Sequence, residues 1–140
     1  MAFSQYLATK VLSWYKNTSF PTQLSNVYVS LHTADPGTSG STGDATASIV
    51  GGAGNRVGIA AANLGSVTSA SPGYQITNSS VCQITSNAAN SSGITITHFG
   101  IWDAASSGNF LASGTLTTNV DVQLGDTVQF NIGAMAIKVI

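Results

Sequence analysis

Apolar and polar residues alternate in short runs along most of this chain, and only the first fifteen positions follow a different period. From Ala2 to Tyr15, Phe3, Tyr6, Leu7, Val11 and Trp14 recur every 3.6 residues with Leu12 and Tyr15 beside them, which predicts an amphipathic helix. Asn17-Thr18 and then Pro21 end it, because proline disfavours helical geometry in the residue before it. The helical segment thus occupies 1–20. Its stripe either packs on the domain's own sheet or docks on a partner through its aromatic residues.

Beyond the helix the period falls to two. Val27, Val29 and Leu31 alternate with Tyr28, Ser30 and His32, which predicts a half-buried strand with His32 on its outward phase. Asp35-Pro36-Gly37 makes a turn, since proline presets φ and glycine supplies positive φ. Residues 37–54 are Gly, Ser, Thr and Ala around an isolated Ile49-Val50. They are read as a flexible surface loop, poorly ordered in an isolated subunit and suited to lie along a neighbour. Further strands are predicted over Arg56–Ala62, Ser66–Ser69, Tyr74–Thr77 and Val81–Thr85, with a turn at Ser71-Pro72-Gly73 and a polar loop over Ser86–Gly93.

Ile94–Trp102 is the strongest strand, and its apolar side switches from Ile94 and Ile96 to Phe99 and Ile101. That switch predicts either a β-bulge near His98 or burial on both faces. After a turn at Asp103–Asn109 come Phe110–Thr118, Val120–Leu124, Thr127–Ile132 and Ala134–Ile140, with Gly125-Asp126 turning one pair. Eight or nine short strands at roughly ten-residue spacing argue for a mainly β chain, an antiparallel β-sandwich or barrel of jelly-roll type with one N-terminal helix. At 140 residues it is a single domain, 1–140.

Charge changes the picture more than hydropathy does. Charged residues make up 6% of the chain, against about 25% in an ordinary domain. The anions are all Asp, and net charge is −1. Little repulsion keeps copies apart, and a hydroxyl- and amide-rich surface loses less on desolvation than one of Lys and Glu. Both favour a protein that works packed against neighbours. Four scattered cations cannot neutralise a row of phosphates, so no nucleic-acid partner is expected. No stretch has the length of a membrane span, and no secretory signal is read at the N-terminus, so assembly inside a cell is expected.

Candidate chemistry is sparse. His98, Asp103 and a serine could be written as a triad, but there is no nucleophile elbow, and Asp35, Asp44, Asp121 and Asp126 sit at turns where that role explains them. The lone Cys82 lies in an apolar run and reads as a small buried hydrophobe. His32 and His98 have no metal-ligand spacing, and no phosphate-binding or dinucleotide motif is present. The chain is read as neither an enzyme nor a metal or cofactor protein. Trp102 is read as a core residue rather than a sugar-stacking platform. Phe3, Tyr6, Trp14, Ile49, Val50 and Arg56 are the candidate inter-subunit contacts, with Arg56 suited to pair with an Asp of a neighbour.

Three segments then carry a resemblance: MAFSQYLATKVL; VYVSLHTADPG with its following Gly/Ser loop; and THFGIWDAASSGNFLASGTLTT with GDTVQFNIGAMAIKVI. Together they resemble a family of small virion proteins of tailed bacteriophages, often labelled tail-fibre or minor structural proteins. The likeness covers both ends and is looser over Ser39–Asn90. It implies a place in the virion and no catalytic residues. The first expectation is a capsid decoration or cement protein on the capsid exterior, homotrimeric and bound to the major capsid protein. The alternative is a tail, baseplate or tail-fibre component with a host receptor-binding role, for which a host surface glycan is the partner.

Overall fold

The computed structural model describes residues 3–51, 56–87 and 93–139. Helix α1 (Gln5–Tyr15) leads into β1 (Asn26–His32), and a short helix α2 (Thr46–Val50) precedes β2 (Val57–Ala60). Then follow β3 (Thr68–Ser69), β4 (Tyr74–Thr77), β5 (Cys82–Thr85), β6 (Ile94–Trp102), β7 (Phe110–Val122), β8 (Thr127–Phe130) and β9 (Ala136–Val139). The chain is mainly β with an N-terminal helix, as the alternating pattern predicts. All strand pairings are antiparallel, in the orders β2-β1-β6-β7, β3-β4-β9 and β5-β8.

The inner face of the four-stranded sheet is set by register. Val29 lies opposite Ile101, which lies opposite Ala112; Leu31 lies opposite Phe99, which lies opposite Gly114. Apart from the half-buried Gly114, these residues are buried with Ile84, Val128, Phe130 and Met135 from the smaller sheets and their connections. Phe99 leans over Gly114 and meets Phe130 edge-on at 5.7 Å between centroids, tying the large sheet to β8. The predicted change of side near His98 is a break in register: Ile96 pairs with Val120, but His98 pairs with Thr115. The extra β7 residues re-phase β6, so that Ile96 and Phe99 both point inward at 0% and 2% exposure.

Three expectations change. The segments Phe110–Thr118 and Val120–Leu124 are one strand, because β6 pairs with β7 on both sides of the irregularity. His32 is not outward but fully buried. The stretch read as a flexible loop is packed over its described part, 37–51. Thr33 N donates to Gly43 O and Ala45 N to Leu31 O, while Leu31 N donates to Thr46 Oγ1 at 2.9 Å. Those bonds occupy the edge of β1 where β2, which pairs only with Asn26–Val29, leaves off. Ile49 is then carried into the core at 1% exposure. Residues 52–54 of the predicted loop lie outside the described residues.

Asn78, buried in the link from β4 to β5, holds the far end together. Its Nδ2 donates to the Ser80 and Asn131 carbonyls, at 2.8 and 2.9 Å, and its Oδ1 accepts from Met135 N at 2.9 Å.

Gly114→Ala would drive a methyl into the Phe99 ring. Phe99 is held from behind by Phe130, so relief requires a backbone shift. The expected loss is about 1–3 kcal/mol of stability, read as a lower urea midpoint with an unchanged slope.

Candidate interaction surfaces

The second face of the four-stranded sheet carries Ser30, His32 and Gly100, and it is roofed by residues 33–46 and the 103–109 turn. Trp102 Nε1–H donates to Ser30 Oγ at 2.9 Å, and Ser30 Oγ is 2.7 Å from His32 Nε2. His32 Nδ1 lies 2.9 Å from the Thr42 carbonyl, which can only accept. The proton therefore sits on Nδ1, Nε2 accepts from Ser30, and each polar atom of the Trp102, Ser30 and His32 side chains has a partner. Gly100 makes room for it, because a Cβ there would overlap Ser30 Oγ.

Arg56 closes the roof. Its guanidinium stacks 3.6 Å above the Trp102 ring, and Nη1 donates to the carbonyls of Ala104 (3.1 Å) and Ser107 (2.7 Å). Burial lowers its pKa from the ordinary value, opposed by Asp44 and Asp103. Asp103 accepts from Asn109 N and Nδ2 at 2.6 and 2.7 Å, which fixes the turn and the direction of the Asn109 amide.

Two clefts flank this platform, with Tyr6 of α1 lining both. The first, a polar cleft of about 400 Å³, mixes hydrogen-bonding side chains with aromatic ones. Gln5, Tyr6, Thr9 and Lys10 line one side, with Thr38 and Ser39 beside them and Trp102, Asn109 and Phe110 opposite. Lys10 Nζ lies 5.3 Å from the Tyr6 ring centroid. The second, about 430 Å³, is apolar. Val27, Ile101 and Ala112 reach it from the large sheet, Ile76 and Ile137 from the β4–β9 ladder, and Leu7, Phe20 and Leu24 from the N-terminal segment. Asp103 is its one ionisable lining side chain besides Tyr6.

The residues singled out from sequence scatter. Tyr6 is half-buried between the clefts, Trp14 is 57% exposed, and Phe3 is half-buried in a recess with Asp35, Thr38 and His98. Ile49 is a core residue, and Val50 packs against the core, so neither offers the surface expected of it. Arg56 does not wait for a neighbour's Asp, because its fork is committed to Trp102 and two carbonyls of its own chain. Trp102 is buried, as its place on the most apolar strand predicts. Sequence reasoning missed the uncovered Phe20 and Leu24, whose apolar character between a helix end and a strand was the available signal. It also missed the polar cleft, whose residues come from three separated segments.

Ser30→Ala would leave the Trp102 N–H and His32 Nε2 unpaired in a dry site, costing about 2 kcal/mol or more in urea unfolding. Burial, the largest influence, lowers the His32 pKa from 6.5; the Thr42 bond and Asp44 oppose it, while His98 and Arg56 add to it. A depressed folded value means that the unfolded chain binds more protons below pH 6.5. Stability is therefore whole above about pH 6.5 and falls as pH drops beneath it, by at most about 1.4 kcal/mol per pH unit for this group. His32→Gln should flatten that limb of a stability–pH profile.

Against known proteins, the family model described as "Podophage GP4 fiber I protein gp80" matches residues 2–138. No curated protein matches the chain.

Proposed function

The chain belongs to the podophage GP4 fiber I protein gp80 family, a family of phage structural proteins, and from that premise we propose that it is a tail-fibre component that meets the host surface through its polar cleft. The family description supports a fibre over the capsid decoration expected first, and the cleft's chemistry is the observation that carries the contact. Amide and hydroxyl groups of Gln5, Thr9, Thr38, Ser39 and Asn109 surround the Tyr6 ring and one ammonium group. Sugar hydroxyls exchange water for such groups at little desolvation cost, and the apolar face of a pyranose packs on an aromatic ring. Lys10 adds a point charge for a carboxylate or phosphate on the saccharide. Single contacts of this size are weak, and several copies on one fibre raise the effective affinity.

The role is one of binding, with no catalysis. Asp35, Asp44, Asp103 and Asp126 each accept a backbone N–H that shapes a turn, and Asp121 accepts from Thr95 Oγ1. The buried Cys82 thiol is pushed up to about 11, which leaves it protonated and unreactive at neutral pH.

Two measurements test the reading. Gold-labelled antibody on intact virions should mark the tail; label spread over the head would restore capsid decoration. Purified protein should adsorb to host cells and slow infection, with Lys10→Ala and Gln5→Ala together weakening adsorption about tenfold or more. Unchanged adsorption by the double variant would remove the polar cleft from the contact.

A further inference from the structure

The apolar cleft is an unfinished core, and the way its walls run out points to what finishes it. On α1, the stripe of Tyr6, Leu7 and Val11 is half-buried, but Trp14, two turns beyond Leu7 on the same side, is 57% exposed. The helix outruns the sheet beneath it. Across the cleft the β4–β9 ladder does the same. Ile76 lies opposite Ile137, and both line the cleft; Tyr74 lies opposite Val139, two residues further along the same face. Tyr74 is 61% exposed and Val139 44%. Phe20 (49%) and Leu24 (41%) bridge the two overhangs along the rim.

We propose that this band, the apolar cleft with its rim of Trp14, Phe20, Leu24, Tyr74 and Val139, is the interface through which one copy of the chain packs against a second copy. Aromatic side chains offer about 150–250 Å² each, of which roughly half is still uncovered at Trp14, Phe20 and Tyr74, so the rim and cleft together offer on the order of 600 Å², the lower end of what one partner of a specific interface buries. A patch of that size exceeds what monomeric proteins usually leave in water. Charge is compatible with self-association: the net charge is −1, and Asp103 is the cleft's only carboxylate. A second copy is favoured because the band holds both halves of a fit, a depression about 430 Å³ in volume and the exposed rings of Trp14, Phe20 and Tyr74. A surface that meets its own kind needs both knob and hole, whereas a foreign partner needs only one. The polar cleft lies on the other side of Tyr6 and stays open in such an assembly.

The test is sedimentation and light scattering of the purified chain from about 1 to 100 µM. An oligomer is expected, and Trp14→Ser with Phe20→Ser should raise its dissociation constant about a hundredfold or more. Tyr74→Lys, on the opposite rim, should do the same by placing a charge in the contact. Far-UV circular dichroism should stay near that of the parent, since Trp14 and Tyr74 are exposed and Phe20 is half-exposed. A chain that stays monomeric over this range overturns the proposal, and so do variants that remain folded and fully assembled. Tyr74→Cys supplies an exposed thiol in addition to the buried Cys82; oxidative cross-linking in virions should join two copies of this chain, and a bond to a different virion protein overturns the assignment.

Discussion

The architecture turns on the cost of burying hydrogen-bonding groups on the second face of the large sheet. Ser30 and His32 sit where an ordinary half-exposed strand would meet water, yet both are completely buried. A dry imidazole and hydroxyl survive only if each atom is paired. The chain Trp102–Ser30–His32–Thr42 meets that demand with one donor per acceptor. Meeting it dictates that residues 33–46 fold over the sheet, that position 100 lacks a side chain, and that Trp102 turns its indole inward. Arg56 then binds the 103–109 turn to the same platform through the face of that indole, a contact worth about 1–2 kcal/mol where it is shielded from water.

Both interaction surfaces inherit their shape from this constraint. With the roof fixed, Thr38, Ser39 and Asn109 stand at set positions opposite α1, and the polar cleft between them is preformed. Gln5 N donates to Thr38 O and Ser4 N to Leu111 O, so the start of α1 is hydrogen-bonded both to the roof and to β7. Among the described residues, the backbone N–H groups at its far end, on Lys16, Asn17 and Thr18, bond only back to the helix itself. The helix therefore has a well-seated first half that shapes the polar cleft and an overhanging second half that presents aromatic surface.

Low charge fits this division of labour. A surface of Ser, Thr, Asn and Gly surrenders little solvation when it meets a sugar or another subunit. The few charges are used locally. Four of the five carboxylates hold turns, Arg56 is turned onto Trp102, and Lys10 is the cation placed in a cleft. With so few charges, any contact this phage structural protein makes would rest on shape and hydrogen bonding rather than on long-range attraction.

Short-range periodicity made much of the fold legible. The helix, most strand positions, the break near His98 and the buried Cys82 and Trp102 follow from residue types and spacing alone, because burial of an alternating face is a local rule. What failed was whatever depended on a distant segment. His32 read as outward because its alternation is correct; only the fold of residues 33–46 over it turns an outward phase into a buried one. Ile49 read as an exposed anchor because nothing nearby in sequence shows that Thr46 completes the β1 edge and carries the next turn into the core. Arg56 read as free because its carbonyl partners lie about fifty residues downstream. The polar cleft joins three segments and the apolar cleft joins elements from both ends of the chain. The residue pattern determined which faces are apolar; the tertiary structure alone decided which of them are covered, since coverage is set by contacts between residues far apart along the chain.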